Sequence, residues 1–264
     1  TKKKIGSHIM SLINWLYTTS GYYDKTVKGS NKDFDQTALN DNFYKFLQDL
    51  ERSIYACDKT QFYFHEGFVM GIFHKYKDQF IKHYNIHNLT VLNGTFFQDR
   101  VHSEFFPYMK DKKVLVISSF DTLIKQQYDS GNIYKAYKDF PQIKSLDVVN
   151  SPYCFFNNGP DNNYFETIKA IFEKIKFIDF DIAFLGCGVY GHMLSHKIHT
   201  ILDKEAVYVG GPITCLFGIL SSRNEYGGIH TNQGKYNYVN EFWVKIPDNY
   251  KPPNYQLIGN GCYW

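Results

Sequence analysis

The segment Asp181-Ile182-Ala183-Phe184-Leu185 runs into Gly186-Cys187-Gly188-Val189-Tyr190-Gly191, and a helical pattern follows from Tyr190 to Leu202. An apolar strand, a Gly-x-Gly-x-x-Gly turn and a helix form a phosphate-binding arrangement. The first glycine permits the tight turn, the second lets a phosphate approach backbone N–H groups, and the third allows close packing of helix on strand. The helix dipole adds roughly 0.3–1 kcal/mol for an anion at an exposed terminus. Gly186, Gly188, Tyr190 and Gly191 are therefore candidate nucleotide contacts, and the plain alternative is a tight turn without a ligand. A nicotinamide dinucleotide would need an acid at the end of the next strand to hold its ribose hydroxyls. That strand, Ala206-Val207-Tyr208-Val209, ends in Gly210-Gly211-Pro212, which disfavours hydride transfer. Gly210 and Gly211 read instead as a second point of close backbone approach.

Other strand ends carry polar groups. His65-Glu66-Gly67, Asn93-Gly94-Thr95 and Ser118-Ser119-Phe120-Asp121 all reach the same edge if the strands are parallel. Glu66 and Asp121 are the candidate catalytic bases, since either carboxylate could take a proton from an acceptor hydroxyl within hydrogen-bond reach. Ser118 and Ser119 are candidate ribose or phosphate contacts; for Asp121, helix capping together with one of these serines is the structural alternative. Asp179-Phe180-Asp181 has the Asp-x-Asp form used to hold a metal against diphosphate. It precedes its strand, however, and so belongs at the amino edge, about 16 Å from the glycine turn at the usual strand rise. In Asp33-Phe34-Asp35 helix capping is the default. His192, His196 and His199 share a helix face, but nothing nearby supplies further ligands, so no metal site is assigned.

Composition narrows the classes. The chain has 264 residues and a formal charge of +3, with no basic run longer than Lys2-Lys3-Lys4, so the footprint of a nucleic-acid binder is missing. An 18% aromatic share, including 22 Tyr and 23 Phe, points to an aromatic core or to a groove lined with rings. Five scattered cysteines without Cys-x-x-Cys spacing argue against a disulfide framework or zinc, and make a reducing, cytoplasmic compartment the expectation. No segment approaches the ~20 apolar residues of a membrane span. Gly6-Ser7-His8 before Met10 resembles an expression scar and is set aside.

The elements expected to position these residues alternate. Strands are predicted at Gln61 to Phe64, Leu89 to Leu92, Lys113 to Ile117, Leu146 to Val149, Ile182 to Leu185 and Ala206 to Val209. Helices are predicted at about 39 to 54, 67 to 83, 99 to 109, 121 to 138, 162 to 177 and 190 to 202. This alternation implies an α/β, parallel-sheet Rossmann-like domain with helices on both faces. Residues 1–37 read as an N-terminal arm whose stretch 18–37 contributes no core, 38–221 as the Rossmann-like domain with its N-terminal helix, and 222–264 as an extended C-terminal tail lying along the domain and packing on it.

Taken together, these residues resemble the GT-D fold glycosyltransferases, over about residues 60 to 220. Phe62-Tyr63-Phe64-His65-Glu66 is similar to the family's early strand and acidic turn, although the family's Arg and first Asp are not matched. Val149-Asn150-Ser151-Pro152-Tyr153 through Tyr164 to Ile168 resembles its middle strand, proline and helix. Leu185-Gly186 to Leu194 and Ala206 to Gly210 resemble its late turn, helix and strand. The resemblance implies transfer of a sugar from a nucleotide-sugar donor, expected to be UDP-linked, to a glycan acceptor, with Glu66 as base. Where the family carries an Asp-x-Glu pair implicated in metal binding, Gly210-Gly211-Pro212-Ile213-Thr214-Cys215 stands here. Dependence on a divalent metal is left open, and Arg223 and His192 become the candidates for stabilising the leaving diphosphate. A noncatalytic nucleotide- or glycan-binding protein of the same fold is the rival reading, and a methyltransferase or dehydrogenase a lesser one. Nothing in the sequence decides between monomer and homodimer.

Overall fold

A computed structural model of the chain describes residues 16–27, 36–56, 61–64, 79, 82, 90–93, 105–222 and 239–264. Its centre is a four-stranded, all-parallel sheet of β3 (Lys113–Ser118), β4 (Ser145–Asn150), β5 (Ile182–Gly186) and β6 (Glu205–Tyr208), in the spatial order β4-β3-β5-β6. Two earlier strands, β1 (Gln61–Phe64) and β2 (Thr90–Asn93), pair in parallel with each other; among the described residues they form no ladder with the central four, so the single edge expected to gather the ends of all these strands is seen only for the central sheet. All six predicted strands are present within a residue or so of their expected bounds.

Residues alternate between two cores because successive side chains of a strand point to opposite faces. Leu115, Ile117, Ala183 and Leu185 enter one apolar cluster; Val114, Val116, Ile182 and Phe184 enter the other. Burial on both faces explains why these strands are continuously apolar rather than alternating. The first face is covered by α4 (Tyr164–Ile175) and α5 (Tyr190–Leu202), with α1 (Asp41–Tyr55) packed against α5. The second is covered by α2 (Asp121–Asp129), α3 (Asn132–Ala136), the short α6 (Ile213–Leu216) and the C-terminal residues. Helices on both faces and a strand order that reverses direction after β4 make this a doubly wound, Rossmann-like sheet.

Local chemistry sets the helix bounds. The Asn163 side chain accepts the N–H groups of Phe165 and Glu166, and Glu166 reaches back to the Asn162 N–H, so α4 begins with a reciprocal cap. Its buried stripe Tyr164, Thr167, Ile168, Ile171, Phe172 and Ile175 has helical spacing. The single helix predicted over 121–138 is divided: Gly131, at φ +71°, turns the chain between α2 and α3. Of the helices predicted at 67–83 and 99–109, only residues 79, 82 and 105–109 are described, and all are helical.

One expectation about the chain ends requires correction. The stretch 18–37 was expected to carry no core, yet Tyr22 and Tyr23, like Tyr17 just before them, are fully buried. The Tyr22 ring lies 4.6 Å from Phe46 and 5.4 Å from Tyr164, centroid to centroid. The segment has no periodicity because it is not a regular element; its rings are placed one at a time by an irregular backbone. Asp24 anchors that backbone, accepting hydrogen bonds from the Thr26 N–H and hydroxyl and from the Asn40 and Asn42 amides, at 2.6 to 2.9 Å. The C-terminal residues 239–264 pack on the domain. β7 (Ile219–Leu220) pairs in parallel with β8 (Val244–Lys245), and Trp243, Ile246, Ile258 and Trp264 are buried in the second core.

Candidate functional site

In an open α/β sheet the loops after two adjacent strands part where the strand order reverses, leaving a crevice at the carboxyl edge. Here that point lies between β3 and β5, whose ends pair Ser118 with Gly186. A cleft of about 230 Å³ opens there. Ser119 and Phe120 line it from the β3 loop, Ser151 to Phe155 from the β4 loop, Gly186 to Tyr190 and His192 from the β5 turn, and Tyr208, Gly210, Gly211, Ile213 and Thr214 from the β6 end. Ser20 and Gly21 of the arm and Ser221, Tyr263 and Trp264 complete it.

The glycine turn is shaped by close approach. A Cβ on Gly191 would meet the Tyr208 ring at 2.0 Å, and one on Gly186 would meet the Ile213 side chain at 2.2 Å. Gly188 sits at φ +56°, and the place of its missing Cβ is filled by the Ser20 carbonyl oxygen, 2.5 Å away. The Val189 N–H donates to that same carbonyl at 3.1 Å. At Gly188, where a phosphate was expected to approach, the turn is thus in contact with the arm.

Of the expected site residues, Ser119, Gly186, Gly188, Tyr190, His192, Gly210 and Gly211 line the cleft. Gly191 underlies it through Tyr208. Ser118 is buried, and its Oγ accepts the Phe120 N–H; the Ser119 hydroxyl donates to the Ser151 carbonyl at 2.6 Å. Asp121 occupies the first turn of α2, where the dipole favours a carboxylate, and accepts from the Asn150 amide at 3.0 Å. It is not among the cleft's lining residues. Glu66 and Arg223 fall outside the described residues, as do Asp33 and Asp35. Asp179 and Asp181 stand at the amino edge as expected. They tie down Lys113, Asp179 by an ion pair with its ammonium and Asp181 by accepting its N–H at 2.8 Å.

Electrically the described walls are neutral. Among them no Asp, Glu, Lys or Arg lines the cleft. Burial pushes the Cys187 thiol well above its ordinary value and the Cys154 thiol up to about 12. Burial also lowers His192 to about 4, so its imidazole, packed 4.4 Å from the Tyr208 ring, is uncharged at neutral pH. It offers a hydrogen bond to a ligand, and becomes a cation only if an anion draws a proton onto it.

This has a consequence for stability. The folded state binds the His192 proton less readily than the unfolded chain, so the stabilisation is complete above the unfolded value near 6.5 and is lost as pH falls toward about 4. Between pH 7 and pH 5 the wild type should lose about 2 kcal/mol more than His192→Gln. Urea unfolding of both proteins at the two pH values checks this, and parallel losses would refute it.

The aromatic and hydroxyl walls contributed by Ser151, Tyr153, Tyr208, Tyr263 and Trp264 were not singled out from the sequence. Tyr153 stacks on Phe155, and its hydroxyl accepts the Trp264 indole N–H at 3.2 Å. Ser151 and Tyr153 stand just after β4, so the rule that strand ends face the crevice was a usable signal for them. Tyr263 and Trp264 offered none, being brought in by the packing of the C-terminal residues.

Among the described residues no group of His, Cys, Asp and Glu is placed to hold a metal ion, and no helix is long and apolar enough to cross a membrane. The stretch Gly210 to Cys215 carries no carboxylate; Gly210, Gly211, Ile213 and Thr214 line the cleft, and the Thr214 hydroxyl donates to the Gly211 carbonyl at 3.4 Å. The donor set there does not fit a divalent metal, which favours carboxylate oxygens. Compared with known proteins, the chain matches no family model, no curated protein and no solved structure.

Proposed function

We propose that the chain is a glycosyltransferase of the GT-D kind, holding a nucleotide-sugar donor at this cleft and passing the sugar to a glycan acceptor. One observation carries the reading: the Gly186 to Gly191 turn coincides with the crevice where the strand order of a parallel sheet reverses. Doubly wound folds bind nucleotides at that place. Gly210 and Gly211 bring a second stretch of bare backbone to the same wall, and the rings of Tyr153, Tyr263 and Trp264 suit a base or a sugar face. In this reading Glu66 remains the candidate base, and Arg223 the candidate partner of the leaving diphosphate.

Calorimetry with a panel of nucleoside diphosphates is the test. Binding of at least one, weakened by substitutions in the glycine turn, is the expected result; failure of every member removes the donor assignment. The neutrality of the described walls favours a second reading, a noncatalytic binder of nucleotide or glycan. A donor-hydrolysis assay separates the two, because a competent transferase releases some sugar to water and a binder leaves the donor intact.

A further inference from the structure

Among the described residues that line the cleft, His192 is the one side chain able to take a proton and become a cation. It is the third residue of α5 and partly buried, and its ring lies 4.4 Å from that of Tyr208. Its ring nitrogens have no hydrogen-bond or ion-pair partner among the described residues. The groups packed around it are phenols and a thiol. Tyr208 comes from β6, and beside Tyr208 stand Cys187 of the turn after β5, Tyr164 of α4 and Tyr263. Such groups are uncharged below about pH 7.5. Asp49 and Arg52 of α1 act instead on His196, one turn further along α5, as do Lys197 and His199 of its own helix. No charge among the described residues acts on His192, and burial alone holds its imidazole neutral.

That arrangement decides how an anion can be held. A phosphate brought between walls without Lys or Arg loses its water and gains no counter-charge. The start of α5 favours an anion and disfavours a cation, so without an anion both burial and the dipole keep His192 unprotonated. With one in place the balance reverses. An opposite charge within ~4–6 Å raises the proton affinity of a base roughly 10- to 1,000-fold, and the proton comes from solvent onto the free ring nitrogen. The bound pair is then matched in charge although the protein brought no cation of its own.

We propose that the cleft takes up a proton together with a phosphate-bearing ligand, that His192 is the site of that proton, and that the site thereby distinguishes anions from uncharged sugars and nucleosides. Identifying the anion as the diphosphate of a sugar donor rests on the glycosyltransferase reading; the proton linkage does not. The bound state holds the proton more tightly than the free state, so anion binding strengthens as pH falls. The gain levels off near about 4, where the free imidazole is itself protonated.

Calorimetry on the full chain tests this with nucleoside diphosphates, inorganic pyrophosphate and uncharged nucleosides, against wild type and His192→Gln. Titrations at pH 5 in two buffers of different ionisation enthalpy count the protons. Protons taken up by the ligand's own phosphate appear in both proteins, so the difference between them reports His192. A bound diphosphate should carry about 0.4–0.9 of a proton more in wild type than in the variant, and a nucleoside none. From pH 7.5 to pH 5 the affinity of wild type relative to the variant should rise roughly tenfold for a hundredfold gain in proton affinity. In wild type alone, the His192 imidazole resonances followed by NMR should titrate at higher pH with pyrophosphate than without it. A nucleoside diphosphate that binds with equal uptake in both proteins overturns the inference and spares the donor reading, the counter-charge then coming from elsewhere. Pyrophosphate that binds with His192-dependent uptake while every nucleoside diphosphate fails sustains the proton-linked site and removes the donor. Failure of every anion from pH 7.5 to pH 5 overturns both.

Discussion

Gly188→Val is expected to lower stability by about 3 kcal/mol or more and to abolish ligand binding at the cleft. Two costs combine. A side chain at φ +56° pays roughly 1–2 kcal/mol for left-handed backbone. Its Cβ would also stand 2.5 Å from the Ser20 carbonyl oxygen, a backbone atom that cannot swing aside, and overpacking of this kind typically costs 1–3 kcal/mol. Ser20 follows the buried Tyr17 and precedes the buried Tyr22 and Tyr23, so displacing it disturbs the first core. At 2–4 °C per kcal/mol for a chain of this size, the Tm should fall by roughly 6–12 °C. Gly131→Ala supplies the control: its φ is +71° but nothing lies within 4 Å of the added Cβ, so it should show the backbone cost alone. Thermal unfolding followed by circular dichroism, with calorimetry for binding, reads both effects. Equal losses in the two variants would mean that the arm yields freely and is no fixed wall of the cleft.

Asp24→Ala should be comparably damaging although it lies away from the cleft. The buried carboxylate gathers four donors, from Thr26, Asn40 and Asn42, and Asn40 also caps α1 by accepting the Phe43 N–H at 3.0 Å. Removing the acceptor leaves the partly buried Asn40 and Asn42 amide donors without it, and hydrogen bonds to charged groups contribute about 1.5–3 kcal/mol each before relaxation. A loss of about 3–5 kcal/mol by urea unfolding at pH 7 is the expected result. The acid range tests the mechanism. Burial opposes ionisation of Asp24, but the Thr26, Asn42 and Asn40 hydrogen bonds outweigh it and hold the carboxyl below its ordinary value. Its stabilisation is therefore present above the unfolded value near 3.9 and lost as pH falls through the lower folded value. The gap between wild type and Asp24→Asn, which keeps the shape but turns a donor toward donors, should shrink below about pH 4. A gap that stays constant from pH 7 to pH 3 would show that the carboxylate charge is not what holds the arm.

Where sequence reasoning succeeded, the signal was local and periodic. Val114 to Ile117 and Ile182 to Leu185 can be buried on both sides only in a sheet covered twice. The Gly186 to Gly191 turn was legible because its glycines sit between a strand and a helix, and the misplacement of Asp179 and Asp181 followed from counting residues along β5. It failed where packing is aperiodic. Tyr17, Tyr22 and Tyr23 follow no repeat, and a segment of Gly, Ser, Thr, Asn and Lys around them reads as solvent-exposed until the Asp24 N–H is seen to donate to Asn157 and the Asp24 carboxylate to accept the Thr26 N–H. For Asp121 the sequence offered both a catalytic and a helix-terminus reading, the second the stronger; its Asn150 contact and its place outside the cleft's lining are visible only in the tertiary structure.

By itself, then, the amino-acid sequence determined the parallel α/β architecture, the order of its strands along the chain and the glycine turn at the carboxyl edge, because each follows from apolar period and from residues lacking a Cβ. Only the tertiary structure decided which strands are neighbours, that the order reverses between β3 and β5, and that Ser20, Ser151, Tyr208 and Trp264 meet there. Those contacts join residues far apart in the chain. They arise from the fit of irregular segments into two cores, a long-range property that no local pattern encodes.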